Sequence, residues 1–286
     1  MTAEQATARE AQAEDRLFDL YMADGHPRLA ETFVCLLDLL GTRAGTDDQA
    51  DAQDLLEVTH SALFRAERRY DSEHTAAIVR WFTDNAAIAA PRFLHERVWT
   101  ADGASQLNGA VPIIIAASIQ LQLTNLGLFL RGGMDVGPFF VSRQFMYGAP
   151  LGCAHHIEEH LASSPRIVLS GRYADYARAQ ATEPHKGYPW EIYRELLAID
   201  DDDQVFVNYL RIVSDEREDQ EAWLRCHLEH VQSKRAHARD AHVREKYDWV
   251  ARYHDRFCRD YLGPDHPRLQ ELLDDASGHG GLRHLG

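Results

Sequence analysis

The sequence predicts an α+β fold, with helices on one face of a largely antiparallel sheet, followed by a helical C-terminal region. Three observations predict it. Apolar runs of strand length, FVCLLDLLG (33–41), TAAIVRWF (75–82), AAIAA (86–90) and PRIVLS (165–170), alternate with segments of helical spacing. Two of these runs are joined only by Thr83, Asp84 and Asn85, turn-favouring chemistry that suits a hairpin. From 186 to 262 strand signals nearly vanish and apolar residues recur at helical spacing.

In chain order, residues 1–27 are polar and rich in Ala, Glu and Gln, which reads as a helical or frayed arm. FVCLLDLLG is a continuous apolar run with one carboxylate, bounded by Gly41, and reads as a buried strand ending in a turn. Residues 47–69 offer a helical face of Leu55, Leu56, Val58, Leu63 and Phe64. The hairpin at 75–90 and a loop at 91–110 follow. The stretch VPIIIAASIQLQLTNLGLFL (111–130) is about long enough to span a bilayer. It carries Gln120, Gln122, Thr124 and Asn125, so its first half reads instead as a buried helix feeding a strand. LFLRGGMDVGPFFVS (128–142) reads as an interrupted strand or a hairpin, and a helix from Pro150 to Ser163 leads to PRIVLS.

In the C-terminal region Leu224, Leu228 and Val231 form one helical series, and Val243, Tyr247, Val250, Phe257 and Tyr261 another. Gly263-Pro264 stops the second. The helices are expected to pack on the sheet or on a second subunit. The run Asp200–Asp203 reads as a solvated boundary. The expected division is an arm at 1–27, a core at 28–172 and a helical region at 173–286.

Composition narrows the function. An apolar fraction of 45% can build a core, and 26% charged residues is ordinary for a globular chain of 286 residues. Thirty Lys and Arg against 45 Asp and Glu give a net charge of −15. That disfavours nonspecific grip on nucleic acid or an anionic membrane, both of which need clustered cations. A nucleotide substrate stays open, because a triphosphate arrives with its own metal ions. Cys35, Cys153, Cys226 and Cys258 form no C-x-x-C pair and read as buried or inert thiols. The first fifteen residues lack the basic start and apolar core of a signal peptide, so a soluble, cytoplasmic protein is expected.

Two carboxylates sit where an apolar pattern should reject them. Asp38 interrupts the first strand and Asp84 occupies the hairpin tip. A carboxylate in such surroundings costs several kcal/mol unless compensated. If the strands are neighbours, the two converge at one edge and can hold Mg²⁺ or Mn²⁺ through hard oxygens. Asp38 capping the turn at Gly41 and Asp84 making an Asx-turn remain the open alternative. Gly41, with Thr42 and Arg43, can expose backbone N–H groups to phosphate oxygens. RGGMDVGP (131–138) adds Arg131 and three glycines, but neither G-x-G-x-x-G nor G-K-[ST] is present. His156-Ile157-Glu158-Glu159-His160 fits the zinc pattern H-x-x-E-H. It lacks an identifiable third ligand, so a plain surface helix is the preferred reading. His237, His242 and His254 read as surface or packing residues.

Taken in order and spacing, FVCLLDLLG, FTDNAAIA, RGGMDVGP and YGAPLGCAHHIEE resemble the catalytic core of the class III nucleotidyl cyclases. FTDN, the RGG segment, the run from Tyr147 to Ile167 and KYDWVARYHDRFC (246–258) resemble more narrowly the pyrimidine cyclases of the Pycsar anti-phage systems. The core resemblance covers about residues 30–172. It implies a ferredoxin-like βαββαβ core working as a head-to-tail homodimer, with active sites at the interface. It places the family's two metal-binding aspartates on Asp38 and Asp84, and its phosphate-binding turn on Leu39, Leu40 and Gly41. It implies attack of the ribose 3′-hydroxyl on the α-phosphorus, with two divalent ions, Mn²⁺ or Mg²⁺, per site.

Departures from the family pattern bear on specificity. The base-reading position four residues before the second aspartate is Arg80, and its partner position, three before the glycine of the W-G motif, is Phe145. An Arg beside an aromatic suits a smaller base whose carbonyls accept hydrogen bonds, such as uracil. The transition-state Asn and Arg positions align with Gly152 and His156, so His156, Arg131 or Arg43 would have to supply the cation. The resemblance therefore implies a uridylate cyclase making 3′,5′-cyclic UMP from UTP, whose product activates a separate effector during phage infection. Cytidylate cyclisation from CTP is the first alternative, then adenylate or guanylate cyclisation, then an inactive nucleotide-binding module.

Overall fold

The computed structural model describes residues 15–40, 77–92, 101–182, 190–215, 220–238, 240–262 and 282–285, with isolated positions between 53 and 60. The expected helix at 47–69, Gly41 with Thr42 and Arg43, and the Gly263-Pro264 stop lie outside the described residues, apart from those isolated positions.

A two-strand ribbon, β1 (Met22–Ala23) and β2 (His26–Pro27), precedes a nine-stranded sheet. The run from Ala30 to Leu39 is β3, and the expected hairpin is β4 (Ile78–Phe82) with β5 (Asn85–Pro91). Helix α1 (Ala101–Thr124) leads to β6 (Leu130–Val141). In space these strands lie β6-β3-β5-β4, each antiparallel to its neighbour. Numbered along the unit, that order is fourth, first, third, second, the ferredoxin-like arrangement. Beyond it, β7 (Met146–Tyr147) pairs with β6, and α2 (Ala149–His160) carries the chain across to β8 (Ile167–Leu169), which runs parallel to β6.

Alternation along β3 sorts its side chains onto two faces. Phe33, Cys35, Leu37 and Leu39 join Ile88, Met134 and the apolar residues of α1 in the main core. The membrane-length stretch is thus a buried helix. Its Gln120 amide reaches the Pro165 carbonyl at 3.1 Å, and the Thr124 hydroxyl the Gln120 carbonyl at 2.9 Å. Among the described residues no helix is long and apolar enough to cross a membrane.

The helices do not all share one sheet face. Gly133 stands opposite Leu36, on the face away from α1, and a Cβ there would collide with the Ala154 carbonyl oxygen of α2. The RGG segment is therefore one unbroken strand rather than a hairpin. Gly133 lets the α2 backbone approach the sheet. Leu17 and Tyr21 of the arm cover another part of the same face, against Val34, Ile78 and Ala89.

The C-terminal region is helical but not a separate layer. Helices α3 (Gly171–Thr182) and α4 (Trp190–Glu195) precede the hairpin β9 (Leu197–Ile199) and β10 (Val205–Val207). Then come α5 (Gln220–His237), α6 (Ala241–Leu262) and β11 (Arg283–His284). β10 pairs with β8, and β11 with β9, so the region extends the core's own sheet. The run at 200–203 is only partly solvated. Asp200 is buried, accepts from Trp249 Nε1 at 2.6 Å and is paired with Arg166. Between α5 and α6 a buried chain of polar atoms runs from Tyr209 Oη to His227 Nε2 (2.7 Å), from His227 Nδ1 to His254 Nδ1 (2.9 Å), and on to Cys258 Sγ (3.5 Å). Burial pushes all four thiols up, Cys258 to about 12.

Candidate active site

Strand register brings the backbones of the two singled-out residues to the same end of the sheet. Asp38 is the penultimate residue of β3 and stands opposite Asn85 on one side and Arg131 on the other. The next residue, Leu39, donates its N–H to the Asp84 carbonyl at 3.0 Å, so the hairpin tip lies against the end of the central strand. Residues directly opposite in antiparallel strands share a face. Phe82, Asn85, Asp38 and Arg131 therefore form one row, and Arg80, Ala87, Leu36 and Gly133 the next.

The tip is held tightly. Thr83, a β-branched residue, adopts φ 55°, in the left-handed region such residues rarely enter. Asp84 Oδ1 accepts from the Thr83 hydroxyl and the Asn85 amide, both at 3.1 Å. Both donors are side chains, and the carboxylate lies at the surface of the turn rather than in the core.

Asp38 is compensated by an arginine. Arg131 Nε donates to Asp38 Oδ2 at 3.1 Å, while its Nη2 lies 2.6 Å from Glu158 Oε1 of α2. Burial raises the Glu158 carboxyl above its ordinary value, Arg131 opposes that rise, and the Asp38 charge adds to it. Sequence reading quoted Glu158 within H-x-x-E-H but assigned it no role. The available signal was its phase, since Ala154, Ile157 and Glu158 form the buried stripe of α2.

Beside this row an open cleft of about 870 Å³ is lined by residues including Leu36, Phe82, Asn85, Tyr147, Gly152 and His155. It lies between the open sheet face and the N-terminal half of α2. Of the base-reading pair, Arg80 donates to the Val79 carbonyl at 3.1 Å and lies 5.6 Å from the Phe18 ring. Phe145 is exposed and packs on Phe140 at 5.3 Å between ring centroids. Arg143, two residues before Phe145, also lies over the Phe18 ring, at 5.8 Å.

Other expected positions fall differently. The Leu39 side chain is buried in the main core, and the N–H groups of Leu39 and Leu40 are engaged by the Asp84 and Phe129 carbonyls. As phosphate donors these two amides are already taken, because backbone hydrogen bonding runs one residue past the end of β3. His156 is exposed and stacks on His160 at 4.3 Å, and it is His155 that lines the cleft. Among the described residues no group of three or more His, Cys, Asp or Glu could hold a metal ion. Asp38 and Asp84 are a pair of hard-oxygen donors. Their oxygens are of the hard type that Mg²⁺ and Mn²⁺ take.

No known family model matches the sequence, and no curated protein matches it. Solved structures to which the chain is similar include the adenylyl cyclase CyaB from P. aeruginosa, at 12% identity over 53% of this chain and 82% of that one, with a TM-score of 0.41. A class III adenylyl cyclase-like ATP-binding protein from Pseudomonas aeruginosa is 14% identical over 54% of this chain and 37% of that one, with a TM-score of 0.40. A bacterial light-regulated adenylyl cyclase is 14% identical over 59% and 56%, with a TM-score of 0.38.

Proposed function

We propose that the chain is a divalent-metal-dependent pyrimidine nucleotide cyclase, converting UTP to 3′,5′-cyclic UMP and pyrophosphate. The observation that carries the reading is the juxtaposition of Asp38 with the Asp84 hairpin tip at the end of the central strand, beside the cleft. Asp38 and Asp84 hold Mn²⁺ or Mg²⁺. When bound, the ions neutralise triphosphate charge and lower the pKa of the 3′-hydroxyl. The 3′-oxygen bonds to the α-phosphorus, the bond to pyrophosphate breaks, and the hydroxyl proton leaves to solvent. Arg80 donates to base carbonyls, of which uracil offers two, and Phe145 supplies an apolar surface for a small ring. Arg131 Nε donates to Asp38 Oδ2 and so orients that carboxylate.

The cleft is one-sided, and its rim exposes Leu29, Phe82 and Tyr147, with Phe145 exposed nearby. A second copy of the chain covering it, in a homodimer, would close the site and exclude water. By the sequence resemblance, the cyclic product signals to a separate effector protein in anti-phage defence. One observation favours a second reading, a module that binds nucleotide without turnover. Gly152 presents no side chain to the cleft, and the His156 ring stacks on His160.

The test is incubation of the purified chain with all four ribonucleoside triphosphates and Mn²⁺, with products identified by chromatography and mass spectrometry. The expected result is one cyclic pyrimidine that disappears in the Asp38→Ala, Asp84→Ala double variant. Cyclic CMP alone would move the base assignment to cytosine, and cyclic AMP or GMP would overturn the roles of Arg80 and Phe145. Metal-dependent nucleotide binding with no cyclic product would select the second reading.

A further inference from the structure

We infer that Glu158 is a positioning residue that acts through Arg131 to set how tightly Asp38 takes a divalent ion, an inference that rests on the metal role proposed for Asp38. Arg131 stands between two carboxylates. It gives one N–H to Asp38, at 3.1 Å, and one to the Glu158 backbone carbonyl, at 3.4 Å, while its Nη2 forms an ion pair with Glu158 Oε1 at 2.6 Å. Glu158 is nearly buried, its side chain 5% exposed against 23% for Arg131, so solvent screens this pairing poorly. Its other oxygen, Oε2, lies 3.2 Å from His155 Nδ1, and His155 lines the cleft.

A guanidinium beside Asp38 competes with a metal ion for the same carboxylate. How strongly it competes depends on how much of its charge is balanced elsewhere, and Glu158 supplies that balance. Neutralising Glu158 leaves the whole positive charge facing Asp38 and the incoming cation. Removing the guanidinium frees Asp38 for the ion. The two changes therefore act on metal affinity with opposite sign. A merely structural role for the pair gives loss in both cases or change in neither.

The experiment titrates Mn²⁺ alone into the full chain and follows loss of the free-ion electron paramagnetic resonance signal, with thermal melts recorded on every variant. Asp38→Asn is expected to weaken wild-type binding. Glu158→Gln, which keeps an acceptor for Arg131, is expected to weaken it on the order of tenfold, and Arg131→Gln to tighten it by a similar factor. If Glu158→Gln does not fold, Glu158→Asp should leave binding close to wild type while Arg131→Gln still tightens it. If Asp38→Asn leaves binding unchanged, the metal role falls and the inference with it. If Asp38→Asn weakens binding but the other two variants move the same way or not at all, the inference alone is overturned.

Discussion

Acid should loosen the C-terminal helices through one buried pair. His227 on α5 and His254 on α6 are fully buried, with rings stacked 5.0 Å apart at 8°. Their neighbours are Tyr209, Phe129 and Cys258, with His230 as a further basic group nearby. Burial holds His254 down at about 4 against an ordinary 6.5, and burial, with the charges of His254 and His230, also holds His227 well down. A base whose folded value is depressed contributes stability above its unfolded value and loses it as pH falls below. The window is therefore from about 6.5 down toward about 4. At about pH 5 the unfolded chain has protonated this histidine and the folded chain has not, which costs about 2 kcal/mol for His254 alone. Urea unfolding at about pH 7.5 and about pH 5, followed by fluorescence of Trp249, which stacks on Tyr253, reads this directly. The wild type should lose about 2 kcal/mol more over that interval than His254→Gln, in which one titrating group is gone. An identical pH slope in the two proteins would refute the argument.

Two glycines on facing elements should respond oppositely to alanine. Gly133→Ala drives a Cβ into the Ala154 backbone and should cost about 3 kcal/mol in urea titration, whereas Gly152→Ala, on α2 with nothing near its Cβ, should gain up to about 1 kcal/mol. Arg166→Met removes the main partner of buried Asp200 and should cost about 3 kcal/mol in the same assay, with a smaller loss when Asp200→Asn is combined with it.

What the sequence showed depended on run length and on whether a side chain or a backbone atom carried the signal. FVCLLDLLG was legible because an apolar run with a single carboxylate has few other readings, and the Thr83–Asp84 turn fixed the hairpin beside it. The strands LAI and VFV, three residues each, are too short to show a period and vanish among the surrounding helices. Three glycines in β6 looked like a break, although Gly133 admits the backbone of α2. Asp38 and Asp84 announced themselves as carboxylates out of pattern, but Glu158 did not, since one acidic residue in a helix reads as surface until its phase is compared with Ala154 and Ile157. The engaged amides of Leu39 and Leu40 had no side-chain signature at all.

The site also joins two parts of the chain that form on different schedules. Asp84 sits in a hairpin whose strands adjoin in sequence, the kind of contact that closes in microseconds. The Asp38–Arg131 pair spans 93 residues, and Glu158 adds another 27. Closing so long a loop carries an entropic cost that is repaid only when β6 zips onto β3 and α2 settles over its glycines. An incompletely folded chain would thus hold one carboxylate in place while the other still lacked its guanidinium. On the metal role proposed for Asp38, the late arrival of that guanidinium would lower divalent-ion affinity, as a report that the sheet has closed.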